Sequence, residues 1–153
     1  MNEKRYQTDK DLEEFCFINN INIDDIDFLT NINIDKNGYY IGNLDGADNE
    51  KKKNGTHWIV LIRKKQVIYY FDPFGFRPPN YIIEYCKNKK IKCIFSNVIL
   101  QQTYEYWCGF YCCMFLYVVQ NIYGKLEDKQ DFYNIVNEYE FWELKFNNNS
   151  DFK

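Results

Sequence analysis

Two neighbouring runs in this 153-residue chain, HWIVLIR over 57–63 and QVIYYFD over 66–72, are apolar at nearly every position. A strand with one wet face alternates apolar and polar side chains; one that does not alternate is covered on both faces. The runs therefore predict two adjacent strands inside a sheet, joined by Lys64-Lys65. A third run, CGFYCCMFLYVVQNIYG over 108–124, is apolar on all sides for about four turns and closes on Gly124, which predicts a core helix. Other elements group around these three. Residues 8–20 read as a helix capped by Thr8 or Asp9, with Leu12, Phe15 and Cys16 on one face. Residues 21–34 carry isoleucine and acid in alternation, and YYIGNL over 39–44 reads as a strand before a polar loop over 45–55. PFGFRPPN is a turn-rich loop, residues 80–90 a helix, IKCIFS a strand, and 129–146 a last amphipathic helix. The order predicts a single α+β domain over 1–153, with a central mixed sheet against a buried helix and fraying at 1–7 and 147–153.

The chain is 46% hydrophobic and 20% aromatic, which excludes disorder outside its ends. A net charge of −3 gives no global case for nucleic-acid binding, and the basic stretches at 51–53 and 87–92 read as solvated loops. No apolar run approaches the ~20 residues of a membrane span, and the first fifteen residues lack a signal-peptide core. An intracellular setting is expected, with the six cysteines as thiols. None forms a C-x-x-C pair and only one histidine exists, so no structural metal site is expected.

That histidine is His57, at the mouth of the first apolar strand. It can be a packing residue, a metal ligand or a general base. If Lys64-Lys65 is a two-residue hairpin loop, Arg63 faces Gln66 and His57 faces Asp72, on one sheet face with Cβ atoms ~5 Å apart. A carboxylate on one ring nitrogen fixes the tautomer and raises the basicity of the other, but an ordinary rim salt bridge would place the same two residues together. Cys108 opens the core helix, where the dipole and orphan N–H groups favour a thiolate; it can equally be a small hydrophobe at a helix start. Cys112 and Cys113, inside the apolar helix, read as core. Gln101 and Gln102 lie seven and six residues before Cys108, and one amide with the Cys108 N–H would make an oxyanion hole.

These motifs resemble the adenovirus maturation proteases (adenain) and their relatives in virophages and large mobile DNA elements, which share a fold with the SUMO-deconjugating Ulp proteases. GTHWIVLI is similar to the family's G-x-H-W strand, YYFDPFGF to its stretch in which an acid precedes P-F-G-F, and CGFYCCMFL to its nucleophile helix. YYIGNLD is a weaker match, and the resemblance covers about half the chain, residues 39–76 and 101–120. It implies Cys108 as nucleophile, His57 as base and Asp72 as orienting acid; adenain has glutamate at this last position, the Ulp branch aspartate. The adenain spacing points to Gln101 as oxyanion donor, the residue expected here because the neighbouring motif is adenain-like, and the Ulp spacing to Gln102 as the alternative. Trp58 would shield the ring, or simply be core, and with Trp107 would wall a substrate channel suited to a small residue. The resemblance further implies a cysteine endopeptidase that cleaves viral capsid or core precursors after glycine-containing motifs during virion maturation, as a monomer in the virion and infected cell. No cofactor is needed for the chemistry. Adenain responds to DNA and to an activating peptide disulfide-linked upstream of its glutamine; Cys93 lies near that place, with a different spacing. Other readings are a deconjugase for ubiquitin-like modifiers, an acetyltransferase using the same triad, and a non-catalytic capsid-associated module.

Overall fold

The computed structural model describes residues 7–44, 57–100 and 107–147. Helix α1 (Asp9–Ile18) is started by a capping box: Thr8 Oγ1 accepts from Asp11 N–H at 3.2 Å, and Asp11 Oδ2 accepts from Thr8 N–H at 2.8 Å. Strand β1 (Asp25–Phe28) and a 3-10 turn (Leu29–Asn31) follow, then β2 (Gly38–Asn43), β3 (Trp58–Lys64), β4 (Val67–Phe71), helix α2 (Asn80–Lys89) and β5 (Lys92–Phe95). The chain continues through helix α3 (Cys108–Tyr117), a π-helical turn (Val118–Tyr123) closed by left-handed Gly124, and helix α4 (Lys129–Asn147). The sheet runs β1-β2-β3-β4-β5, antiparallel at its centre and parallel at both edges, so the molecule is a mixed five-stranded sheet packed against helices.

The two apolar strands are covered on both faces, as their lack of alternation predicts. Trp58, Val60, Ile62, Tyr69 and Phe71 join Cys112, Cys113, Phe115 and Phe132 on one side, with Leu12 and Phe15 of α1. Ile59, Leu61, Ile68 and Tyr70 meet Ile82, Cys86, Leu29 and Ile32 on the other. The edge strand β1 protects itself. Ile26 N–H and Phe28 N–H are each taken up by the preceding aspartate's Oδ1, at 2.8 and 2.7 Å, which blunts an edge that could otherwise recruit another strand.

The hairpin register differs from the sequence expectation. Lys64 pairs with Val67 and Val60 with Phe71, so the loop is Lys65-Gln66 and each partner sits two residues further on than predicted. Lys65 takes a positive φ of 55°, and its N–H is held by Asn37 Oδ1 at 2.7 Å. Continuing this register, His57 falls opposite Phe74 and diagonal to Asp72. A shift of two keeps every side chain on its face, so the diagonal pair stays together. Residue 7 also departs from expectation: Gln7, placed in a fraying end, is 4% exposed and hydrogen-bonded.

Phe115 is the centre of the α3 face, stacked on Phe71 at 4.1 Å and edge-on to Phe132 at 6.0 Å. Phe115→Ala is expected to cost about 3–5 kcal/mol, a large share of a domain's typical stability, read as a drop in denaturant midpoint.

Candidate active site

The acid is set by a local turn. In Asp72-Pro73-Phe74-Gly75, the Gly75 N–H bonds back to Asp72 O at 2.8 Å, and Asp72 Oδ1 accepts from Phe74 N–H at 2.7 Å. Aspartate, proline and glycine each stand where such a turn favours them. Gly75, at φ 77°, has no room for a side chain: a Cβ would lie 2.9 Å from the carbonyl oxygens of Asn97 and Val98. The neighbouring segment is fixed to the same turn by Leu100 N–H on Pro73 O at 2.9 Å.

With Oδ1 occupied by its own turn, Asp72 directs Oδ2 to His57. The Nε2–H of the imidazole donates to it at 2.9 Å, and the carboxylate side chain is fully buried. Phe74 stacks on the ring at 4.6 Å and 8°, and Phe76 meets it edge-on at 6.4 Å. The other ring nitrogen, Nδ1, is buried without a hydrogen bond of ordinary geometry among the described residues. Burial pulls the His57 pKa down. The hydrogen bonds and negative charges of Asp72 and Cys108 together outweigh it and push the value up to about 9.

Cys108 is the first residue of α3 and is completely buried. Its Sγ accepts from the Trp58 backbone N–H at 3.4 Å, which seats the sulfur against the start of β3, one residue from His57. The structure thus brings His57, Asp72 and Cys108 together. Trp58 is 3% exposed, packed in the core with its Nε1–H on Gln7 O at 2.9 Å, whereas Trp107 is 40% exposed; of the two indoles, Trp107 is the one a polypeptide can reach. Gln101 and Gln102 lie outside the described residues, as do Lys51 to Lys53.

Burial pushes the thiols of Cys112 and Cys113, inside the same helix, well up. Cys113 instead lies 3.5 Å from Cys16. Cys93 stands half-buried on β5, and burial with the nearby Cys86 pushes its thiol up to about 12, a poor starting point for exchange with an external disulfide. Among the described residues no three His, Cys, Asp or Glu side chains are grouped to hold a metal ion, and no helix is long and apolar enough to cross a membrane.

Two contributors to this site were not singled out from the sequence. The stacking Phe74 depends on the observed hairpin register, which places it opposite His57. Gln7 carries no local signal of its role, which depends on a residue 102 positions away. No protein-family model matches this sequence, and no curated protein matches it.

A histidine whose pKa is raised on folding contributes stability that is complete below its unfolded value of 6.5 and is lost as pH rises through about 9. A shift of this size corresponds to on the order of 3 kcal/mol. Denaturant titrations of the wild type and of His57→Gln are expected to differ most at pH 6 and to converge by pH 10.

Proposed function

We propose that this chain is a cysteine endopeptidase with an adenain/Ulp-like fold, using Cys108, His57 and Asp72. The observation that carries the reading is the position of the imidazole: Nε2 is committed to the buried Asp72 carboxylate, and the Cys108 Sγ is seated on the backbone N–H of the very next residue, Trp58. An imidazole held as a cation at neutral pH stabilises a neighbouring thiolate and has a proton ready for a departing amine. Attack of Sγ on a scissile carbonyl forms the C–S bond. The oxyanion is taken by the Cys108 N–H and, as the resemblance implies, by the amide of Gln101 or Gln102. His57 protonates the leaving amine as the C–N bond breaks. A water molecule, deprotonated by His57, then releases the acyl group and returns the proton to the thiol–imidazole pair.

The substrate reading is a viral structural precursor cut after a glycine-containing motif. Trp107, next to Cys108, and Phe76, edge-on to the His57 ring, are 40% and 56% exposed and offer apolar surface beside the site. The test pairs chemistry with location. Fluorogenic peptides ending in Gly-Gly are incubated with the chain before and after iodoacetamide treatment, and the alkylated cysteine is located by peptide mass. Hydrolysis that disappears in proportion to Cys108 modification supports the proposal; hydrolysis that survives full modification of Cys108 refutes it. Covalent capture by a ubiquitin-based suicide probe, with no peptide turnover, would point to a deconjugase. Inertness in both assays would point to a non-catalytic module.

A further inference from the structure

We infer that Gln7 is a positioning residue that holds the thiol of Cys108 at its working distance from His57. The inference rests on the proposed pairing of those two groups.

The two side chains sit on separate elements, the start of β3 and the start of α3, 51 positions apart in the chain. Sulfur and imidazole need alignment to within a fraction of an ångström, and a helix start is a loose place to find it. Helix α3 has no side-chain cap of its own, because its N-cap residue is Trp107. Gln7 supplies what is missing. Its Oε1 accepts from the Gly109 N–H at 3.0 Å, one residue past the thiol, and its backbone carbonyl accepts from Trp58 Nε1–H at 2.9 Å, one residue past the imidazole. The Trp58 N–H donates to Cys108 Sγ at 3.4 Å and completes a closed circuit of three hydrogen bonds through Gln7, the helix start and the strand start.

The fit is tight. A Cβ at position 109 would lie 2.8 Å from Gln7 Oε1 and 2.8 Å from Leu12 Cδ2, so only glycine lets the glutamine and α1 approach the helix this closely. Gln7 is buried, and a buried amide in such a place is retained for its bonds. Its removal should let the first turn of α3 drift from β3 and weaken the hold of Cys108 on the imidazole.

Two readouts on the full chain follow this directly. The lone histidine gives one imidazole signal by NMR, and carbamidomethylation of Cys108 at pH 7 reports thiol reactivity by peptide mass. Gln7→Leu is expected to lower the His57 titration midpoint by about one pH unit and to slow Cys108 alkylation about tenfold, with Cys93 alkylation unchanged. Trp58→Phe keeps the core ring and deletes the indole N–H, and should move both readouts in the same direction by less. A folded Gln7→Leu with wild-type midpoint and wild-type alkylation overturns the inference. If Gln7→Leu does not fold, an unshifted midpoint in Trp58→Phe overturns it. A wild type that cleaves no peptide but shows the Gln7-dependent midpoint sinks the protease proposal and leaves the clamp standing. A cleaving enzyme with both variants unshifted does the reverse.

Discussion

Cys108→Ala should lower peptide hydrolysis by about 10⁴-fold or more while the chain still unfolds cooperatively. Loss of a covalent nucleophile leaves only binding and oxyanion stabilisation, and such groups act as a unit. The structural consequence is smaller but real. Sγ is buried and accepts from the Trp58 N–H, so alanine leaves that donor without its partner and opens a small void. A loss of about 1–3 kcal/mol is expected, which a domain of ordinary stability survives. Cys108→Ser separates the two effects: its oxygen can keep the Trp58 bond, so stability should recover while activity does not. Turnover and denaturant midpoints measured on all three proteins check this. An alanine variant retaining more than a hundredth of the activity would remove Cys108 from the mechanism.

Asp72→Asn should cost about 10³- to 10⁴-fold in turnover with little change in fold. The amide oxygen of the introduced asparagine can still accept from the Phe74 N–H, so the turn is kept. The amide NH₂ then faces His57 Nε2 in place of a carboxylate oxygen. Two donors cannot face one another, so the ring must present a bare Nε2 to the amide and carry its proton on Nδ1. That tautomer cannot accept the thiol proton. The same substitution deletes both the hydrogen bond and the charge through which Asp72 raises the His57 pKa, so the pH range of the remaining activity should move to lower values. An activity within tenfold of wild type would reduce the pair to a rim salt bridge.

The sheet's interior strands were legible because their patterning is unambiguous: no alternation over 58–62 or 67–71 leaves only cover on both faces. Their register was not, because it depends on Lys65 adopting a positive φ and on Asn37, 28 residues away, holding its N–H. Neither signal is local. The pairing of His57 with Asp72 outlived the error because a slip of two preserves the face. Strand β1 was missed as an element, since its outward aspartates serve to occupy its own N–H groups rather than to mark a pleat. The core helix was legible over 108–124, but its last six residues before Gly124 are π-helical, a change of hydrogen-bond register that apolar side chains on every face do not announce. Cys108 stood out by its position at the helix start. The support around it did not, because Gln7 bonds the adjacent Gly109 across 102 positions and the Trp58 N–H bonds Cys108 itself across 50.

The account turns on one imidazole bonded to Asp72 through Nε2 and proposed to work with Cys108 through Nδ1. The chain has a single histidine, so its titration followed by NMR reads that junction without interference. A midpoint near 9 in the wild type, falling in Cys108→Ala, is the predicted result. A midpoint near 6.5 that Cys108→Ala leaves unchanged would contradict it.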